Sequence, residues 1–118
     1  MVESQNTKID FKSKANYLGG LTSRGDLLVG NKAIEYYNER NVRDFIQIPY
    51  SEIKMVTASV IFKKKITRFA IHTKKNGDFV FNSPDNKAIL RALNKYLPDA
   101  KLRKSLTVWD YIKKKFTK

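Results

Sequence analysis

The chain contains no cysteine, a single histidine and no apolar run long enough to cross a bilayer. Without a thiol there is no disulfide, no thiolate nucleophile and no cysteine-ligated metal, and the absence suits a reducing compartment. The lone histidine, His72, has no orienting carboxylate beside it in the sequence, and the acids Glu35, Glu39, Asp44 and Glu52 are scattered among basic residues. No acid–base pair recurs at a spacing that one helical face would bring together. A membrane span needs roughly 18 or more consecutive apolar residues, which no segment approaches. The polar start, residues 1–10, lacks the apolar core of a secretory signal. Gly19-Gly20 is followed by Leu21 and further strand pattern, so no glycine-rich loop opens a helix to cradle a phosphate.

These absences predict a soluble cytoplasmic protein that is not an enzyme and takes no cofactor or metal. The acids read as solvated salt-bridge partners and His72 as a surface or hydrogen-bonded structural residue. Thr57 and Ser59, which share a strand face with Ile61, read as packing or edge hydroxyls without a role of their own.

What the chain has in excess is positive charge, placed unevenly. Residues 61–118 hold 16 Lys and Arg against 4 acids, whereas residues 1–60 hold 8 against 7. Almost the whole net charge of +13 therefore lies in the second half. Such a field attracts polyanions over about a Debye length, which points to an acidic protein face, an anionic lipid surface or a nucleic acid.

With 118 residues and 42% hydrophobic content, the chain has the size of one domain with one core. From residue 8 to 17 it alternates, with Ile9, Phe11, Ser13, Ala15 and Tyr17 on one side and Lys8, Asp10, Lys12, Lys14 and Asn16 on the other. Period two with one wet face predicts an amphipathic strand. Turn residues then recur at hairpin spacing, and further strands fit residues 27–29, 33–37, 44–48, 56–62, 68–73 and 78–83. Pro49 ends the fourth, because proline cannot donate to a ladder. Asn76-Gly77 between alternating apolar runs is a strong hairpin signal.

At Ser83-Pro84-Asp85 the period changes. A capping hydroxyl, a proline at the first helical position and an early acid predict a helix start, with Ile89, Ala92, Leu93 and Tyr96 following on one face. Residues 105–116 place Leu106, Trp109, Ile112 and Phe116 on a second stripe that ends in Lys113, Lys114 and Lys115. The predicted fold class is mainly β (α+β): a pleckstrin-homology-like, partly closed antiparallel barrel of about seven strands over residues 1–100, capped by one helix. Residues 101–118 read as a basic amphipathic C-terminal tail helix. An open antiparallel sheet with the helix laid across one face is the rival.

Three basic clusters are candidates for partner or anion binding. They are Lys63, Lys64 and Lys65 with Arg68; Lys74 with Lys75; and the tail with Trp109, Lys113, Lys114 and Lys115. The first two flank a strand and so lie roughly 20 Å apart at about 3.3 Å per residue, too far to form one small pocket. The tail's net +6 is worth at most about 6 kcal/mol near an anionic leaflet, which corresponds to binding in the tens of micromolar. Its apolar stripe can pack on its own domain, on a protein partner or in a membrane, but on only one at a time. A helix beginning Leu106-Thr107-Val108-Trp109 lacks the polar first turns that read base edges, which places DNA behind the other partners.

Several runs carry a family resemblance: Tyr36-Tyr37-Asn38, residues 44–50, Ala58-Ser59-Val60, Arg68-Phe69-Ala70-Ile71, residues 73–77, Leu90-Arg91-Ala92 and Ser105-Leu106-Thr107. Over nearly its full length the chain resembles a domain family of unknown function, sometimes called ManO. That family is encoded beside mannose-type phosphotransferase transporters in low-GC Gram-positive bacteria. The run from Ile48 to Ile53 is also similar to bacterial GRAM and pleckstrin-homology-like domains. Lys64 stands where the pattern has glycine, and Tyr50 where it has tryptophan.

The resemblance implies a cytoplasmic accessory or regulatory protein of mannose-family sugar uptake; together with the basic second half it leads to the expectation of a binding module at the inner face of the membrane, docked on the transporter's membrane components as protein partner or on the anionic leaflet. It carries over no catalytic residue. The alternative is a DNA-binding regulator of the transporter operon.

Overall fold

Residues 3–41, 43–61, 65–98 and 101–105 are described by a computed structural model. The alternating N-terminal run forms β1 (Ile9–Tyr17), followed by β2 (Ser23–Gly30), β3 (Ala33–Asn38), β4 (Phe45–Pro49), β5 (Ile53–Ile61), β6 (Lys65–Thr73) and β7 (Asp78–Asn82). A helix, α1 (Asn86–Asn94), and a last short strand, β8 (Leu102–Ser105), complete the order. The strands form one sheet in the order β4-β3-β2-β1-β7-β6-β5-β8. Seven strands pair antiparallel, and β8 adds to β5 in parallel.

The outermost strands, β4 and β8, do not pair with each other, so the sheet is not closed. Pro49 ends β4 after five residues, and an opening of about 240 Å³ separates its edge from the β6–β7 hairpin, between Phe45, Pro49, Thr73 and Phe79. The sheet nevertheless curls over one core. Leu27, Tyr36 and Ile48 from the first four strands join Val56, Phe69, Ile71 and Phe81 from the last strands in one buried cluster. The Tyr36 and Phe81 rings lie 5.6 Å apart. Burying each such ring contributes roughly 1.5–3 kcal/mol, so this seam holds the two halves together.

Glycine answers two different demands of the backbone. Gly77 takes φ +77° in the β6–β7 turn. A Cβ on Gly25 would meet the Tyr37 carbonyl oxygen at 2.1 Å, which is how β2 and β3 approach so closely. Ile9 departs from the expected inward face and is 40% exposed. The register shifts between Ile9 and Phe11, and this irregularity turns the alternation over at Asp10.

The helix begins two residues later than the proline predicts, with Asp85 as N-cap. Ser83 is used otherwise: its Oγ accepts from the Asp85 N–H at 3.0 Å and donates to the Lys14 carbonyl at 2.7 Å. Asn86 accepts from the Ser83 N–H at 2.9 Å and donates to the Ile66 carbonyl at 2.8 Å. The helix start is thus tied to β1, β6 and β7, while Ile89, Leu93 and Leu97 bury the apolar stripe.

Of the stretch read as a tail, Leu102–Ser105 is strand, with Leu102 in register beside Val56 and packed on the core. Four residues with one leucine are too short to show a period. The expected helix beyond Ser105 lies outside the described residues. Among the described residues no helix is long and apolar enough to cross a membrane.

Candidate functional site

The predicted site residues separate into two groups. Lys63, Lys64, Trp109, Lys113, Lys114 and Lys115 lie outside the described residues, whereas Lys65 and Arg68 sit on β6 with exposed side chains. Lys65 lines a depression of about 570 Å³ together with Lys87, Thr67, Asn16 and Asn82, between the start of β6 and the start of α1. Arg68 belongs to a second, smaller hollow on the outer face of the sheet, of about 340 Å³, with Leu18, Thr57, Ser59, Ala70 and Val80.

Carboxylates neutralise few of these cations. In the first half, Asp26 and Glu39 hold Lys14 at 3.0 and 3.2 Å, raising its pKa through those hydrogen bonds. Asp10 takes a hydrogen bond from the Tyr96 hydroxyl and faces Lys95 at 3.5 Å and Lys8 at 3.7 Å. The Tyr96 hydroxyl foremost, then these ammonium groups, hold its carboxyl below the ordinary range. In the second half, Asp78 is engaged by His72 and Asp85 by Ser13. Among the described residues, Lys65, Arg68, Lys74, Lys75, Lys87 and Arg91 have no ion-pair partner.

The reading of His72 as lacking an orienting carboxylate is corrected. The β6–β7 register sets His72 opposite Asp78, and Nδ1 lies 2.8 Å from the Asp78 carboxylate. On the other side, Nε2 lies 2.8 Å from the Thr57 hydroxyl of β5. Thr57, assigned no role from its sequence context, is thus one end of a hydroxyl–imidazole–carboxylate chain.

The connectivity is that of a hydrolytic triad, but the setting is not. The chain lies on an open outer face with the Asp78 side chain 58% exposed. Thr57 sits inside a strand paired on both sides, so neighbouring amides are engaged in the ladder rather than aimed at an oxyanion. The arrangement can move a proton between hydroxyl and imidazole, and it can orient a hydrogen bond.

Glu35 is the second correction. Read as a solvated salt-bridge partner, it is 0% exposed. The N-terminal segment covers it: the Ser4 hydroxyl, the Gln5 N–H and the Asn6 amide donate to its carboxylate, as does the Tyr37 hydroxyl at 2.9 Å. Burial pushes the carboxyl up, and these donors together outweigh it, leaving the pKa below its ordinary value. Its role is to latch residues 4–6 onto β3.

These features define a small, mainly β domain: an open, mainly antiparallel sheet with, among the described residues, one α-helix, a first half latched by Glu35 and a second half with 16 Lys and Arg against 4 acids. The chain belongs to the family described as domain of unknown function (DUF956), whose model matches residues 1–116. No curated protein matches the chain. Among solved structures it is similar to the crystal structure of the C-terminal domain of an unknown protein from Leishmania infantum. That likeness has 16% sequence identity and a TM-score of 0.65, and covers 75% of this chain and 82% of the other. It concerns the fold alone.

Proposed function

We propose that this protein is a non-enzymatic accessory or regulatory module of mannose-family phosphotransferase sugar uptake, which docks on an acidic protein face of the transporter or on the anionic leaflet around it. The observation that carries this reading is the second half's charge, 16 cations against 4 acids, with the described carboxylates there bound to His72 and Ser13 rather than to Lys or Arg. A fold that leaves so many ammonium and guanidinium groups unneutralised retains a field for a polyanion.

A strand order of β4-β3-β2-β1-β7-β6-β5 with a helix after β7 supports a pleckstrin-homology-like arrangement, a scaffold whose role here is to present loops and one sheet face. The link to the sugar transporter rests on the family resemblance. Lys63, Lys64, Lys65 and Arg68, with Trp109, Lys113, Lys114 and Lys115 of the tail, are the proposed contacts.

Fractionation of lysed cells tests the reading, comparing the full chain with a form ending at Ser105, which keeps β8. Recovery of the full chain with membranes and its reduction in the shortened form are expected. Recovery of both forms in the soluble fraction alone would contradict it, and a sequence-specific footprint surviving competitor DNA would assign the basic half to an operator instead.

A further inference from the structure

We propose that the outer face of β5, β6 and β7 holds a binding site for a phosphate monoester, anchored by the Arg68 guanidinium and completed by the Thr57 hydroxyl. The inference deepens the docking reading and rests on it for one point, that the basic half meets an anion.

The hollow exists because of a small residue. Strand register pairs Thr57 with Ala70 and Ser59 with Arg68 across β5 and β6, and Ala70 with Val80 across β6 and β7. Ala70 therefore forms a low floor between larger neighbours, and about 340 Å³ opens above it. Arg68 is exposed at its side with no carboxylate on it among the described residues.

A guanidinium fork and a hydroxyl offer three donors, which suit the three terminal oxygens of a monoester better than the two of a carboxylate. Leu18 and Val80 supply an apolar wall for the carbon beyond the ester oxygen.

The imidazole sets the direction of the Thr57 hydrogen bond. The Asp78 carboxylate only accepts, so the hydrogen on His72 is at Nδ1 and a neutral ring presents Nε2 as an acceptor. The Thr57 hydroxyl then donates to Nε2 and turns its lone pairs to the hollow, which repels an anion. When the ring takes a second proton, Nε2 donates to Thr57 and the hydroxyl hydrogen becomes available to the ligand. Proton and anion therefore strengthen each other's binding by the same factor. The charged residues on the three strands around the ring are Asp78 on β7, Arg68 and Lys65 on β6 and Lys54 on β5, with Lys74 just past the end of β6.

Titration of the full chain with sulfate, whose charge is constant, over a series of pH values and followed by amide NMR shifts, tests the coupling without a titrating ligand. Shifts centred on Thr57, Arg68, Ala70 and Val80 are expected, with affinity roughly fivefold or more higher once the ring carries its second proton. Arg68→Gln should weaken binding about tenfold or more. Thr57→Val, nearly isosteric, should remove the pH dependence, as should His72→Gln. Spectra unchanged away from the hollow verify that each variant is folded.

O-phosphoserine and vesicles containing phosphatidic acid then distinguish a soluble monoester from a lipid headgroup. Competition by phosphoserine at similar affinity marks the first, and vesicle binding that phosphoserine does not release marks the second. Shifts that map elsewhere, or an Arg68→Gln protein that binds sulfate like the parent, would overturn the site. A protein recovered with membranes but giving no shift at the hollow fails this inference alone. One that binds monoesters but stays soluble in the cell fails the docking reading alone.

Discussion

The two halves of this chain set very different numbers of acids against their cations, 7 against 8 in residues 1–60 and 4 against 16 in residues 61–118. In β1 to β4 and the segment before them, the acids are structural: Glu35 is buried under four donors, Asp26 and Glu39 converge on Lys14, and Asp10 joins the β1 irregularity to the last turn of the helix region through Tyr96 and Lys95. In β5 to β7 and α1, Lys65, Arg68, Lys87 and Arg91 have no ion-pair partner among the described residues, and the Thr57–His72–Asp78 chain lies on an open face. The acids named in the first half serve the fold, and the docking proposed above draws on the excess of cations in the second. Electrostatic substitutions should therefore change stability in one half and binding in the other.

The sharpest way to break this contrast is Glu35→Ala. Removing the acceptor strands donors from Ser4, Gln5, Asn6 and Tyr37, and should cost about 4 kcal/mol in a thermal or urea unfolding measurement. A cost comparable to that of a surface substitution would remove the latch from the account. Next in size, converting Lys65, Arg68 and Lys87 together to Gln should weaken docking by about 3 kcal/mol, near 100-fold. The charge-matched set Lys12, Lys32 and Arg43 from the first half should change it far less.

Acid sharpens the same comparison. Glu35 has a folded-state pKa below its unfolded value, so the stability it contributes is fully present above about pH 5 and is lost as pH falls through the folded value. The parent chain should lose stability on acidification below about pH 4.5 more steeply than Glu35→Gln, measured by urea unfolding across that window. The smallest effect expected is that of Arg68→Gln on folding, within about 0.5 kcal/mol, because its side chain is exposed and unpaired.

Much of the fold was legible because its signals are local. Strict alternation marked β1, the Asn76-Gly77 turn marked the β6–β7 hairpin, and the change of period after Ser83 marked α1. What escaped depends on contacts between distant segments. Glu35 looks solvated until residues 4–6 fold over it, and hydrogen bonds from Ser, Gln and Asn leave no period in a sequence. The shift at Asp10, which exposes Ile9, needs the partner strand to be visible.

β8 has too few residues to announce itself and takes its place only from the β5 edge. The His72–Asp78 pair was closer to reach, since a Gly77-centred turn fixes the register that sets 72 opposite 78. Thr57 required the next hairpin as well. In the candidate site, Lys65 and Arg68 were marked by charge alone, whereas the hollow beside Arg68 follows from the small side chain of Ala70, which carries no chemical signal.

The most direct test of the central claim is a co-sedimentation measurement of the full chain with transporter-containing inner membrane, comparing the two charge-matched triple variants at equal ionic strength. The account predicts that loss of Lys65, Arg68 and Lys87 releases the protein while loss of Lys12, Lys32 and Arg43 leaves it bound. Equal release by both sets would show that net charge alone, and not the placement of unpaired cations on the second half, governs recognition.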